Sequence, residues 1–168
     1  MAKKLPVAIS KEEFIQLIKH TKKENHKLAF LLGFGSGLRI SEIVHLQPRH
    51  IMLKEKNILI EQGKGKKDRI VPLPKGFKEK HISMLPLKIT QRGLEKAFKS
   101  ICLKAGLLKI KPTLHFHSLR HGFATLAVSN GVPIHHVRTL LGHSNISTTN
   151  VYLESNPKAA LKSYEDLF

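Results

Sequence analysis

Cysteine and acidic side chains are what this sequence has least of. Its one cysteine, Cys102, rules out an internal disulfide and a cysteine-rich zinc site. The setting "FKSICLKAGL" fits a small packed core residue better than a nucleophile. No apolar run approaches the ~20 residues that cross a bilayer, and "MAKKLPVAIS" lacks the continuous apolar stretch of a secretory signal. The expectation is a cytoplasmic protein with no membrane partner. Aspartate occurs only as Asp68 and Asp166, and most glutamates lie in Lys-rich surface patterns such as "SKEEF" and "KGFKEK". The clustered carboxylates that hold paired divalent ions are therefore missing. Zinc ligation by His115, His117 and His121 alone is opposed by Arg120, whose charge repels a cation there. Neither a metal nor another cofactor is expected.

What the chain does have is positive charge. Against 12 Asp and Glu stand 29 Lys and Arg, a formal net charge of +17. Such an excess points to a polyanionic partner, nucleic acid before an anionic membrane surface. The 168 residues, 41% of them apolar, suffice for one domain with a real core.

Local signals place the elements. Ser10 and Glu13 form a capping box, and Phe14, Leu17 and Ile18 follow at helical spacing, so a first helix begins near Lys11. The segment "HKLAFLLGFGSGLRISEIVHLQP" is broken by three glycines before a new helix carries Arg39, Ile40, Glu42, Ile43 and Leu46 and stops before Pro48. Arg39 thus stands near a helix start. From His50 to Pro74 the runs "IML", "NILIEQ" and "RIVPLP" predict a small antiparallel sheet whose last two strands are joined by the basic hairpin "GKGKKD". The stretch "KEKHISMLPLKIT" carries no clear pattern. Leu94, Phe98, Ile101 and Cys102 share one face of a helix that ends at Gly106. Beyond Pro112, "HSLRHGFATLAVSNG" and "PIHHVRTLLG" predict two helices separated by Asn130 and Gly131, with Pro133 at the second start and Gly142 after its end. A last helical region covers roughly residues 147 to 168. The fold class expected is mainly α with a small antiparallel β-sheet, in one domain over residues 1 to 168 whose first nine residues resemble a linker.

Several residues could carry chemistry. Arg39 and Arg120 lie in apolar segments, where an unpaired arginine costs several kcal/mol. Glu42 is near Arg39, but no acidic residue occurs between Glu95 and Glu154, so Arg120 has no local carboxylate. An external phosphate would satisfy both guanidinium groups. His117, three residues before Arg120, shares its side of a helix. His143 follows a helix-ending glycine, and Tyr152, one of two tyrosines, comes nine residues later. Lys64 sits between two glycines that permit close approach to a backbone. Taken singly, each has a plainer reading: arginine heads that reach water, a structural histidine, a half-buried tyrosine, a solvated turn lysine. Together they supply a nucleophile, transition-state cations and proton donors for a metal-free phosphoryl transfer.

In order and spacing these motifs resemble the catalytic domain of tyrosine recombinases, the integrase family that includes Xer-like enzymes. "GLRISEIVHLQPRHI" is similar to the first arginine box, "GKGKKDRIVPLP" to the lysine hairpin, "HSLRHGFAT" to the His-x-x-Arg box and "LGHSNISTTNVY" to the closing His and Tyr box. The resemblance spans nearly the whole chain. It implies the DNA breaking-rejoining fold and assigns roles. Tyr152 would attack the scissile phosphate and hold DNA as a 3′-phosphotyrosyl ester. Arg39, Arg120 and His143 would bind the non-bridging oxygens, Lys64 would protonate the leaving 5′-oxygen, and His117 would assist proton transfer at the tyrosine. Glu42 would support Arg39, and His121 would stand behind the site. Lys66, Lys67, Arg69, Thr90, Gln91 and Arg92 would contact DNA. The implied partners are a double-stranded recombination site and other recombinase protomers, as a tetramer on DNA. The helical domain that precedes the catalytic domain in the family is expected to be absent, and the tail "NPKAALKSYEDLF" is similar to a final helix that docks on a neighbouring protomer or on its own body. Two rivals are a type IB topoisomerase-like enzyme, which shares these groups, and a non-catalytic helix-turn-helix module, since Ala127, Gly131 and Val137 match that spacing.

Overall fold

The computed structural model describes residues 7–61, 68–142, 161, 162 and 164. Helix α1, Lys11–His20, starts where the capping box puts it: the Glu13 backbone N–H donates to Ser10 Oγ at 3.2 Å, and the Ser10 N–H donates to Glu13 Oε2 at 2.7 Å. Helix α2, Glu24–Gly35, buries Leu28, Ala29, Phe30, Leu32 and Phe34. A helix so apolar around its circumference belongs at the centre of a fold, and α2 packs against α1, α4 and α6. Helix α3, Ile40–Val44, begins immediately after Arg39.

Three short strands follow, β1 at Ile51–Met52, β2 at Asn57–Ile60 and β3 at Arg69–Pro72, in antiparallel order β1-β2-β3. In the β2–β3 register Ile58 faces Val71 and Ile60 faces Arg69. Ile58, Ile60 and Val71 all point to the core. The patternless stretch after the sheet contains a 3-10 helix, Glu79–Met84. Helix α4, Gln91–Lys104, is capped by Thr90, whose hydroxyl accepts from the Gly93 N–H at 3.0 Å, and it buries the predicted face Leu94, Phe98, Ile101 and Cys102. A short α5, Leu107–Ile110, follows Gly106. Helix α6, His117–Ser129, and helix α7, Ile134–Leu141, complete the described body, with Gly142 ending α7 at φ 64°.

The interior has two parts. In the larger, Phe30 of α2 meets Phe98 of α4 edge-on with ring centroids 5.5 Å apart, and Phe116 lies against both. Burying each such ring contributes roughly 1.5–3 kcal/mol. The smaller is built from Phe123 and Ala127 of α6, Val137, Leu140 and Leu141 of α7, Val132 between them, and Leu161 and Tyr164 from the tail. Leu161, Lys162 and Tyr164 are helical; the rest of the predicted final helix lies outside the described residues. Tyr164 stacks near Phe123 and its hydroxyl donates to the Gly35 carbonyl at 2.6 Å, so this part of the tail docks on its own chain.

Helix α6 and the segment before α1 approach closely. The Ile9 N–H donates to the Ser118 carbonyl at 3.2 Å. A Cβ on Gly122 would stand 2.5 Å from the Ile9 carbonyl oxygen and 2.9 Å from both Ile9 Cγ2 and Phe34 Cε2. Gly122→Ala gains up to about 1 kcal/mol of helix propensity. That gain is outweighed by overpacking against backbone that cannot rotate away, at about 1–3 kcal/mol. The expected outcome is a net loss of stability, read as a lower midpoint in urea; a variant as stable as wild type would show that the segment can shift.

Candidate active site

The first arginine is placed by its own helix. Arg39 is the N-cap of α3, and its backbone N–H donates to Glu42 Oε2 at 2.7 Å while its Nη1 donates to Glu42 Oε1 at 3.1 Å. A glutamate at the third helical position closes back on the cap and favours the positive end of the helix. The spacing of three that marked Glu42 in the sequence is therefore a contact.

A second guanidinium reaches the same carboxylate from the sheet. Arg69 Nη1 and Nη2 donate to Glu42 Oε1 and Oε2, both at 2.8 Å, and Arg69 Nε donates to the Leu140 carbonyl at 2.9 Å. Its side chain is only 7% exposed. Arg69 was expected to contact DNA; here its guanidinium is turned inward, onto Glu42 and Leu140. The sequence did hold a signal, since two-residue alternation on a strand puts Arg69 on the same face as the buried Val71. Burial raises the Glu42 pKa, but the two hydrogen bonds and charge of Arg69, with the Arg39 N–H and charge, bring it down to about 2.

Arg120 is held by main-chain carbonyls. It lies in the first turns of α6, 3% exposed, and donates through Nη1 to the Gly37 carbonyl at 2.6 Å and through Nη2 to the Leu141 carbonyl. Gly37 has φ 67°, and a Cβ there would meet Phe123 Cδ1 at 2.6 Å, so glycine is what lets that carbonyl turn toward Arg120. Both contacts are to neutral carbonyls. Burial, then Arg39 and Arg69, lower the Arg120 pKa to about 9, which leaves it charged at neutral pH.

His117 opens α6 and is exposed, with the His121 ring edge-on at 4.8 Å. Desolvation first, then His121, Arg120, His115 and Arg39, lower its pKa to about 4. His121 is lowered too, by burial and then by His115 and Arg120. His117 is thus a neutral imidazole at pH 7, able to accept a proton. Among the described residues no group of three His, Cys, Asp or Glu side chains is placed to hold a metal ion.

Among the described residues, three guanidinium groups and one carboxylate thus share the mouth formed by α3, β3, α6 and the end of α7, with Arg39 the most open, its side chain 36% exposed. The surplus positive charge and the directed N–H groups suit a phosphate-like anion. Thr90, Gln91 and Arg92 are exposed together at the start of α4, with the Thr90 hydroxyl engaged in capping. Lys64, Lys66, Lys67, His143 and Tyr152 lie outside the described residues.

Known proteins share this sequence and fold. The profile of the phage integrase family matches residues 8–87 and 82–159. The chain is 33% identical to tyrosine recombinase XerA of Thermococcus onnurineus, covering 97% of this chain and 63% of that protein, and 37% identical to a tyrosine recombinase of Thermosipho africanus, covering 90% and 58%. It is 35% identical to tyrosine recombinase XerD of Oceanobacillus iheyensis, covering 95% and 61%. The chain therefore spans about six tenths of the length of these relatives, 58–63%. Among solved structures, an integrase from mycobacterium phage Brujita superposes with a TM-score of 0.70 at 20% identity, over 100% of this chain and 60% of that one. A XerA recombinase superposes with a TM-score of 0.67 at 26% identity, over 98% and 66%. The sequence profile, these relatives and the shared mainly helical fold with its three-stranded sheet agree: this chain belongs to the phage integrase family.

Proposed function

We propose that the chain is the catalytic part of a tyrosine-type site-specific recombinase, which cuts and rejoins DNA strands through a covalent protein–DNA ester. The observation that carries this reading is the pair Arg39 and Arg120, brought to one mouth from separate helices and charged at neutral pH, beside a neutral His117.

The chemistry follows from the groups. The Tyr152 oxygen attacks the scissile phosphorus and passes its proton to His117. The bond from phosphorus to the 5′-oxygen breaks, and Lys64 protonates that oxygen. Arg39, Arg120 and His143 hold the non-bridging oxygens as charge builds on them. One phosphate ester replaces another, so rejoining is the same exchange in reverse and draws on neither ATP nor a metal. The substrate is a double-stranded recombination site, supported by the net charge of +17 and by the recombinase relatives. Lys66, Lys67, Gln91 and Arg92 face it as positioning contacts to phosphate, and further protomers join in a tetramer on DNA. Cleavage by one protomer without exchange would instead fit the topoisomerase-like rival.

On a nicked suicide duplex, wild-type chain should accumulate a covalent adduct, and Tyr152→Phe should bind the duplex equally and form none. Adducts from the variant at the wild-type level would remove Tyr152 as nucleophile. Binding with no adduct from wild type would favour the helix-turn-helix module.

The low pKa of His117 sets a pH dependence. At subsaturating DNA, where the rate reports the free protein, adduct formation should hold steady as pH falls through 6.5 and decline only toward about 4, because His117 stays unprotonated until then. A half-maximal rate near 6.5 would show an ordinary imidazole, or another group, as the acceptor.

Lys64→Ala should cleave ordinary DNA slowly, yet recover most of its rate when sulfur replaces the bridging 5′-oxygen, because a thiolate leaves without a proton. Arg120→Ala should not recover, its loss being one of charge stabilisation. Sulfur rescue of Lys66→Ala or Lys67→Ala in place of Lys64→Ala would move the acid to that residue.

A further inference from the structure

Arg69 is drawn into the site more deeply than a strand residue at the foot of a hairpin need be. Its three guanidinium nitrogens are all engaged: two on Glu42, from α3, and one on Leu140, from the end of α7. Its stem runs so close to the chain after α7 that a Cβ on Gly142 would stand 2.9 Å from Arg69 Cδ. On Glu42 the two arginines are not equal partners. Arg69 grips both oxygens at 2.8 Å with a buried, planar fork, whereas the Arg39 guanidinium reaches one of them at 3.1 Å and remains partly open.

We infer that Arg69 is a positioning residue: without meeting the substrate, it fixes the Glu42 carboxylate and so determines where the Arg39 guanidinium stands. Freed of Arg69, the carboxylate would keep Arg39 as its strong partner and draw that guanidinium inward, away from a phosphate. Lysine cannot substitute, since one ammonium cannot grip both Glu42 oxygens in parallel and reach Leu140 as well. The inference rests on the recombinase reading, which assigns Arg39 to the phosphate.

The test uses the full chain on the nicked suicide duplex, with Arg69→Met, Arg69→Lys and Glu42→Gln. The rate of adduct formation at saturating DNA should fall on the order of 100-fold in Arg69→Met, while the dissociation constant for DNA is unchanged and the melting transition stays cooperative. Arg69→Lys should fail in the same direction, and it serves if Arg69→Met does not fold. The double variant Glu42→Gln with Arg69→Met should be no slower than the slower single one, as expected of residues acting in series. A duplex whose scissile phosphate carries a neutral methyl group in place of one charged oxygen needs less guanidinium help, so the deficits of Arg39→Ala and Arg69→Met should shrink together. A merely structural role would leave the Arg69 deficit at full size. Adducts from folded Arg69→Met or Arg69→Lys at the wild-type rate, additive losses, or an undiminished deficit on the methylated phosphate would each overturn the inference alone. Absence of adducts from wild type would overturn the recombinase reading and this one with it.

Discussion

One half-buried carboxylate decides whether arginines can share the interior of this protein. Glu42 takes the cap of α3, the guanidinium of Arg39 and the fork of Arg69 on two oxygens. Buried ion pairs recover their desolvation only when geometry and hydrogen bonding are nearly complete, and here both oxygens are doubly engaged. Arg120 is held differently, by main-chain carbonyls. One arginine lies deep on the carboxylate, another is held by the main chain, and Arg39 stands partly open between them. The mouth stays cationic although its members are well bonded, so an incoming anion meets charge that needs little further ordering.

Local chemistry was plain in the sequence, and distant chemistry was not. The capping box of α1, the start of α3 at Arg39 and the buried face of α4 depend on residues three or four apart, and all stand where the pattern put them. The short sheet was legible from alternation and glycine-rich punctuation. The 3-10 helix Glu79–Met84 and the four-residue α5 were not, because neither is long enough to display a period.

The same division applies to the site. Glu42 beside Arg39 could be read as a spacing of three, whereas its pairing with Arg69 spans 27 residues and depends on how β3 lies against α3 and α7. Composition could say that cations outnumber carboxylates, but not which cation would win Glu42. Arg120 without a neighbouring acid was a sound observation; the carbonyls of Gly37 and Leu141 that answer it come from a glycine turn and a helix end, which no count of charged residues registers.

The two-part interior acquires a meaning at Arg120. Leu119 belongs to the larger part and Phe123 to the smaller, so Arg120 sits on the seam of α6 between them. Arg69 bridges the same two parts, from Glu42, beside Ile43 of the larger, to the Leu140 carbonyl of the smaller. The constellation is therefore shared between two packing units of unequal size. Local opening free energies differ across a structure, so a change among Val137, Leu140 or Tyr164 in the smaller part bears on the Leu141 carbonyl that holds Arg120 without altering a charged group.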